Sequence, residues 1–317
     1  MKKIILDTDI GWDCDDAGAL ALLNAFCAKG EAELLAVTAN YADKYVAGCI
    51  DAINRYFGRS VPVGVRMSRP AYHADDESAS YNGYAKAICQ QFPNGYKDGC
   101  KLDSVRLLRE TLTAADDKSV TLVAIGNLGG IAELLESVGD DISPLSGAEL
   151  IKAKLERTVI MGGRFKGTWP MIISESGTSE MEAEYNIKGD IRGAKVVCDN
   201  WPGELVFSSY EIGNYCITLR NMKYDEAAPN PVALAYKLFP WASAGRQSWD
   251  PTAALFAVRP DAGYYYLHPW GRVRVSDEGV TTGEESEKFR QSYRIPCREY
   301  GFIEKTIDSI IESELPE

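Results

Sequence analysis

The sequence predicts an α/β fold with a doubly wound, mostly parallel sheet flanked by helices. Short apolar runs typical of buried strands alternate with stretches whose apolar spacing is typical of helices. Several of these runs end in glycines or polar side chains, as strand-to-helix turns of parallel sheets do. The 317 residues contain no linker, low-complexity segment or internal repeat, so we expect a single domain over residues 1–317.

The first predicted strand and helix flank an acidic loop, residues 7–16. An apolar run at 4–6 precedes this loop, and an alanine- and leucine-rich stretch follows it, which places the loop at the carboxyl end of a strand, where α/β sheets bind ligands. A cation that prefers oxygen ligands, such as Ca²⁺ or Mg²⁺, would relieve the repulsion between its carboxylates. Helix capping would explain only one or two of them. The five aspartates are Asp7, Asp9, Asp13, Asp15 and Asp16.

The remaining elements follow in the same alternating order. Apolar runs predict further strands at 33–40, 61–65, 120–125, 157–163, 195–198 and 204–208. Apolar periodicity predicts helices at 44–57, 104–112, 131–135, from Trp249 onward, and at 302–311. Past Gly263 we expect a small β excursion before the terminal helix. The polar segments 66–101 and 164–182 are candidates for a lid over a site.

Composition narrows the class of partner. The net charge of −12 argues against nucleic acid and anionic membranes, so we expect a small-molecule partner. The eight cysteines form no CxxC pair and there are only two histidines, which disfavours a zinc cluster. The first strand begins near residue 3, and no apolar run reaches the length of a membrane span, so we expect a cytoplasmic protein with reduced thiols.

Over about residues 3–255 an ordered set of motifs resembles one family. The motifs are Asp7-Thr8-Asp9-Ile10-Gly11 with Asp15-Asp16-Ala17, Val37-Thr38-Ala39-Asn40, Gly126-Asn127-Leu128-Gly129-Gly130-Ile131-Ala132, Met161-Gly162-Gly163, Ala183-Glu184-Tyr185-Asn186, and Asp250-Pro251. They resemble segments of nucleoside hydrolases, the inosine-uridine-preferring type and its relatives. No single motif is decisive, but their common order is specific.

The resemblance implies a Ca²⁺-dependent enzyme that hydrolyses the N-glycosidic bond of a ribonucleoside and releases ribose and free base. It implies a metal-bound water as the nucleophile, with Asp9 as the general base, and it also implies a homo-oligomer, either a dimer or a tetramer. A carboxylate-rich pocket suits this reaction because the sugar acquires oxocarbenium character as the bond breaks. The implied metal ligands are Asp9, Asp16, Asp250 and the Gly129 carbonyl, with Asp15 or Asp13 as further candidates.

The implied substrate contacts come from four segments. Asp15 and Asn40 would hold the 2′- and 3′-hydroxyls of the ribose, and Met161, Glu184 and Asn186 would bind its 5′ side.

Three positions depart from the family pattern. The acidic loop is longer, so either Asp13 or the Asp15-Asp16 pair takes the second aspartate place, and the assignment of Asp13 stays open. Gly129 replaces a threonine, which preserves a carbonyl ligand. Trp249 stands where relatives carry a histidine that protonates the leaving base; it either stacks on a purine or packs as a core aromatic residue.

Two other functions compete with hydrolysis. A relative that binds ribose or a nucleoside without turnover, or that acts on an altered substrate, would retain the pocket and lose the histidine. A haloacid-dehalogenase-like phosphatase would use Asp7 as nucleophile, Asp9 as acid and base, and Mg²⁺, but no lysine partner for the phosphate is evident. We rank the phosphatase last.

Overall fold

The computed structural model describes residues 1–69, 83–165, 183–268 and 271–316. Parts of both predicted lid segments, residues 70–82 and 166–182, therefore lie outside the described residues.

Six parallel strands form the centre of the molecule. They are β1 (Lys2–Thr8), β2 (Ala32–Ala39), β3 (Val63–Val65), β4 (Val120–Ala124), β5 (Leu155–Met161) and β6 (Leu205–Ser208). Their order across the sheet is β3-β2-β1-β4-β5-β6. The strand order reverses between β1 and β4, and a crevice for a ligand opens at such a reversal outside the carboxyl ends of the strands.

The later strands extend this sheet and add a small second one. β7 (Ile217–Thr218) and β8 (Arg246–Gln247) pair with each other. The others are β9 (Tyr265–Leu267), β10 (Gly271–Val275), β11 (Thr281–Glu285) and β12 (Gln291–Pro296). β12 joins β6 in parallel, whereas β9 and β10 pair with β12 antiparallel, and β11 pairs with β10 antiparallel. The predicted β excursion after Gly263 is confirmed.

Helices cover both faces of the sheet. They are α1 (Asp15–Ala28), α2 (Val46–Tyr56), α3 (Gly83–Gln91), α4 (Ser104–Ala114), α5 (Gly129–Glu136), α6 (Gly147–Lys154), α7 (Tyr185–Gly189), α8 (Ile191–Asn200), α9 (Tyr210–Gly213), α10 (Pro231–Leu238), α11 (Trp249–Val258) and α12 (Tyr300–Glu312). In the part of the chain that the structure describes, none of them is long and apolar enough to cross a membrane.

The core is divided by the sheet into two layers. Ile4 and Leu6 pack in one apolar cluster, with α1, α2 and α11, whereas Ile5 packs in the other, with α4, α5 and α8. Successive side chains of β1 point to opposite faces, so a continuous apolar strand serves both layers. The predicted doubly wound, mostly parallel α/β fold is thus confirmed, with its terminal helix.

One predicted strand is wrong. Residues 195–198 lie inside α8, not in the sheet. A short apolar run does not distinguish a strand from a buried helical turn. The Asp190 side chain caps α8 by accepting a hydrogen bond from the Gly193 amide. The buried residues of this helix include Ala194, Val197 and Cys198, which are spaced as on one face of a helix.

Candidate active site

A cavity of about 550 Å³ lies at the carboxyl edge of the sheet. Its walls come from the acidic loop after β1, from Ile125 after β4, from Met161 at the end of β5, and from Tyr210 after β6. The first turn of α11 closes another side with Trp249 and Asp250. The cavity is within the size range of small-molecule sites and stands at the reversal of strand order, where such a site is expected.

Three carboxylates meet in this cavity. Asp15, Asp16 and Asp250 are all buried, and each offers an oxygen within 4.8 Å of the others. Burial raises the pKa of all three well above the ordinary aspartate value, and neighbouring negative charges raise it further. We call Asp15, Asp16 and Asp250 the carboxylate cluster. A cation bound there would offset their repulsion.

Two helix starts build the carboxylate cluster. Asp15 and Asp16 open α1, and Asp250 lies in the first turn of α11. The Asp250 amide donates to Asp15 Oδ2 at 3.1 Å, which joins the two helix ends. The helix N-caps are Cys14 and Ser248, neither with a side-chain capping bond, so capping does not account for the three aspartates.

Asp9 lines the same cavity beside the carboxylate cluster. Burial raises its pKa to about 7, and the charges of Asp7 and Glu184 add to the shift. Asp7 is fully buried and accepts hydrogen bonds from Thr38 Oγ1 and Asn40 Nδ2, both at 2.6 Å. Asp7 therefore supports the end of β2, and it is not among the residues that line the cavity.

Asn40 is held behind the cavity surface. It is fully buried, donates to Asp7, and accepts from Asn127 Nδ2 through its Oδ1 at 3.1 Å. Gly126 lies against it, because a Cβ there would be 2.3 Å from Asn40 Oδ1 and 2.9 Å from Asp9 Cγ. A side chain at position 126 would displace both, which explains the glycine at this turn. The structure brings Asn40 next to Asp9 but not to the cavity lining.

The backbone around β4 differs from the predicted arrangement. Gly129 begins α5 and is not among the lining residues; a Cβ on it would lie 2.0 Å from Arg66 Nη1 and from Asp190 Oδ2. Ile125 lines the cavity instead, and its carbonyl accepts from Asn186 Nδ2 at 3.0 Å. The sequence did not indicate Ile125, because a backbone carbonyl leaves no side-chain signature.

The three residues predicted for the 5′ side come together. Asn186 Nδ2 lies 3.2 Å from the Met161 carbonyl and 3.0 Å from the Met161 sulfur. Glu184 caps α7 by accepting from the Asn186 and Ile187 amides, and it also accepts from the Gly163 amide at 3.1 Å. Burial raises the pKa of Glu184, and four backbone amides counteract that shift. All three residues line the cavity.

An aromatic wall, formed by Tyr210, Phe239, Trp241 and Trp249, lines another part of the cavity. Trp249 donates its indole N–H to the Tyr210 carbonyl at 2.9 Å, and the two rings stack with centroids 5.7 Å apart. Trp241 is 61% exposed, so part of this wall faces solvent. Of the four residues, the sequence indicated only Trp249.

Asp13 also lines the cavity, but an arginine holds its carboxylate. Arg246 Nε donates to Asp13 Oδ1 at 2.9 Å and to Oδ2 at 3.1 Å, and Arg246 Nη2 makes a further contact to Oδ2. Arg246 lies in β8, three residues before Trp249. Asp13 does not belong to the carboxylate cluster.

The fold and the site together define a class: an α/β protein with a carboxylate-rich small-molecule cavity at the strand-order reversal. Comparison with family models gives a more specific assignment. The model described as inosine-uridine preferring nucleoside hydrolase matches residues 4–297. The chain belongs to this family, and it is an enzyme of the N-glycosidase class that acts on nucleosides.

Solved structures support the same fold at low sequence identity. An inosine-uridine preferring nucleoside hydrolase from Bacillus anthracis is 18% identical, with 99% of each chain covered and a TM-score of 0.70. A purine-preferring ribonucleoside hydrolase from Gardnerella vaginalis is 17% identical, with 99% of each chain covered and a TM-score of 0.72. A plant nucleoside hydrolase is 18% identical, and the match covers 99% of this chain and 98% of the plant chain with a TM-score of 0.69. Comparison with curated proteins yields no significant match.

Proposed function

We propose that this protein is a Ca²⁺-dependent ribonucleoside hydrolase that releases ribose and the free base, with Asp9 as the general base. The observation that carries the proposal is the carboxylate cluster beside Asp9 in the cavity. The cluster groups three buried acids within reach of a single ion, and the family model covers the same residues. The activity of the family and the chemistry of the cavity therefore favour the same reaction.

The donor set suits a hard cation. Asp16 and Asp250 offer carboxylate oxygens, Asp9 or Asp15 supplies a further one, and we propose the Ile125 carbonyl as the backbone ligand in place of Gly129. Ca²⁺ accepts six to eight oxygen ligands, which leaves room for sugar hydroxyls and water. When bound, the ion would supply positive charge that acidifies water and anchors the ribose diol.

We propose Asp9 as the group that takes the proton of the attacking water. It lines the cavity next to the carboxylate cluster, and in the ion-free protein burial raises its pKa to about 7, so that a nearby cation would bring it down toward its ordinary range. A base with a pKa near the working pH is an efficient proton acceptor. The hydrogen bond between Asn40 and Asp7 joins the ends of β2 and β1 next to Asp9.

The ribose would bind between two groups of residues. Asp15 is proposed for the 2′- and 3′-hydroxyls, and Asn40 is proposed to reach them after a local rearrangement of its hydrogen bond with Asn127. Met161, Glu184 and Asn186 form one connected wall for the 5′ side. Several fixed contacts to the sugar would orient C1′ for attack.

The competing functions are less well supported. In a phosphatase Asp7 would attack the substrate, but this carboxylate is fully buried, bonded to Thr38 and Asn40, and not part of the cavity lining. A binding protein without turnover would still need the ribose contacts, and it is the alternative that the absence of histidine at position 249 favours.

The test is ribose release from a nucleoside panel. The purified protein is treated with a chelator, reconstituted with Ca²⁺ or Mg²⁺, and assayed with inosine, adenosine, guanosine, uridine and cytidine. We expect release of ribose with at least one nucleoside and only after Ca²⁺ is restored. Nucleoside binding without ribose release in the Ca²⁺ form would favour the binding protein, and phosphate release from an aryl phosphate with Mg²⁺ would favour the phosphatase.

Three further statements stay predictions: a single domain over residues 1–317, a cytoplasmic location, and a dimer or tetramer. Sedimentation of the purified protein measures the last of these.

A further inference from the structure

The ion pair of Asp13 and Arg246 lies at the cavity and has no role in the proposed mechanism so far. The side chain of Arg246 is 15% exposed and that of Asp13 is 27% exposed. Two further contacts fix the guanidinium: its Cζ lies 5.1 Å from the Phe239 ring centroid and 5.1 Å from that of Trp249. The guanidinium is thus held against two rings of the aromatic wall, with Asp13 as its counter-ion.

Cleavage of a glycosidic bond leaves the electron pair on the base nitrogen, and the base needs positive charge or a hydrogen-bond donor to accept it. Trp249 does not supply a donor, because its N–H is given to the Tyr210 carbonyl. Among the described residues that line the cavity, the cationic side chains are Arg164 and Arg246. Arg164 stacks on the Tyr210 ring at 4.9 Å, whereas Arg246 contacts Trp249 itself.

Arg246 also has donors left for a ligand. Its Nε and Nη2 contact Asp13, and its Nη1 donates to Gln247 Oε1 at 2.9 Å. A guanidinium carries five N–H groups, so these partners do not exhaust its capacity. The Asp13 carboxylate binds the Nε and Nη2 edge of the guanidinium in a bidentate way, which fixes the plane of the guanidinium.

We infer that Arg246 stabilises the negative charge of the departing base, and that Asp13 is the positioning residue that holds it there. This inference rests on the proposed hydrolysis of nucleosides. It gives the lengthened acidic loop a function: the additional carboxylate serves the base end of the cavity and not the carboxylate cluster.

The step balances without a protein acid at the base. The C1′–N bond breaks and its electron pair goes to the base nitrogen, while the water oxygen forms the new bond to C1′. The water proton goes to Asp9. The base anion, bonded to Arg246, then takes its proton from solvent, because an arginine guanidinium keeps its protons. Arg246 therefore acts through charge and hydrogen bonding, as donors to a developing anion do.

Leaving-group dependence tests this role. Two substrates are compared. One is the nucleoside of the panel that the wild-type protein cleaves fastest, and the other is 4-nitrophenyl β-D-ribofuranoside, whose leaving group departs as a stable anion. For Arg246→Gln we expect kcat on the nucleoside to fall about 100-fold, as for loss of one donor to a developing anion. The fall with the nitrophenyl riboside should be at least about tenfold smaller, because that leaving group needs less stabilisation.

Matched variants separate this role from a structural one. Arg246→Lys keeps the charge and should recover part of the nucleoside activity. Asp13→Asn should reproduce the selective loss, with Ca²⁺ affinity unchanged, and the double variant should be no worse than Arg246→Gln because the two residues act as one unit. Arg192→Gln removes an exposed arginine that pairs with Glu136 on the surface and serves as the control.

Each outcome has a defined meaning. Equal losses on both substrates, or no loss on either, would overturn the role of Arg246 while the hydrolase assignment stands. Weaker Ca²⁺ binding by Asp13→Asn would overturn the role of Asp13 and make it a metal ligand. If the wild-type protein cleaves neither substrate, the proposed function fails and this inference fails with it.

Discussion

The two ends of the cavity are built in different ways. The end that holds the carboxylate cluster and Asp9 is acidic, buried, and formed by the carboxyl ends of central strands and the first turns of α1 and α11. The aromatic wall with Arg246 is partly exposed and comes largely from residues 239–249. In the proposed function the first end holds the sugar and a cation, whereas the second end provides ring faces and donors for the base. Substitutions can therefore separate attack on the sugar from binding and departure of the base.

The largest effect is expected at Asp9. Asp9→Ala removes the proposed base, so we expect kcat for ribose release to fall by about 10²–10⁴-fold or below detection. Circular dichroism of the variant should match that of the wild-type protein, because Asp9 lines a cavity and is not part of the apolar core. Turnover close to the wild-type rate would contradict the role of Asp9.

Asp250 distinguishes a metal ligand from a residue that only starts a helix. In Asp250→Asn we expect Ca²⁺ affinity to fall at least about tenfold, since one ligand charge is lost. Without Ca²⁺ the variant should melt at an equal or higher temperature than the wild-type protein, because one of three mutually repelling acids is neutralised. A similar loss of thermal stability with and without Ca²⁺ would instead indicate a structural role only.

The pH dependence of stability separates the acidic end from the rest of the molecule. Burial raises the pKa of Asp9 to about 7, far above the value in the unfolded chain, and raises those of the carboxylate cluster as well. The metal-free folded protein then binds more protons than the unfolded one above about pH 4, so its stability falls as the pH rises.

We therefore expect the Tm of the chelated protein to fall between about pH 6 and pH 8. The Tm gain on adding Ca²⁺ should be larger at about pH 8, where the ligands are already deprotonated. Differential scanning fluorimetry with a chelator or with Ca²⁺ measures both. Equal gains at the two pH values would argue against a cation among these carboxylates.

The smallest effect is expected at the aromatic wall. Trp249→Phe keeps a ring but removes the indole N–H that Tyr210 accepts, a hydrogen bond of about 1 kcal/mol. We expect KM for the nucleoside to rise by about tenfold or less, with kcat little changed, and with Ca²⁺ affinity as in the wild-type protein. A large fall in kcat alone would mean that Trp249 acts on the transition state and does not simply contact the base.

The fold was largely predictable, because the sheet is central and its strands are apolar runs. β1 and β4 serve two core layers, so their sequences are almost continuously hydrophobic, and the predicted boundaries agree with the structure to within a few residues. The same rule gave a wrong prediction for residues 195–198, because a helix that packs on the sheet also buries a short apolar run.

The carboxylate cluster was predictable from the acidic loop and from the family resemblance. The loop was expected at the carboxyl end of a strand, which accounts for Asp15 and Asp16, and the resemblance added Asp250. Ile125 was not predictable, because the contribution proposed for it is a backbone oxygen. Arg246 was not predictable either: its partner Asp13 lies 233 positions away in sequence, and no local pattern marks such a pair.

The hydrogen bond between the Asp250 amide and Asp15 spans 235 positions of the chain. Asp15 and Asp16 lie in the first turn of α1, whereas Asp250 lies beside them only when α11 packs against that helix. Closing so long a loop is an entropic cost that the packing of α1 against α11 must offset. A chain that ends before α11 lacks the complete cluster. A chain truncated before α11 should therefore bind a cation more weakly than the full chain, even though it keeps the whole acidic loop.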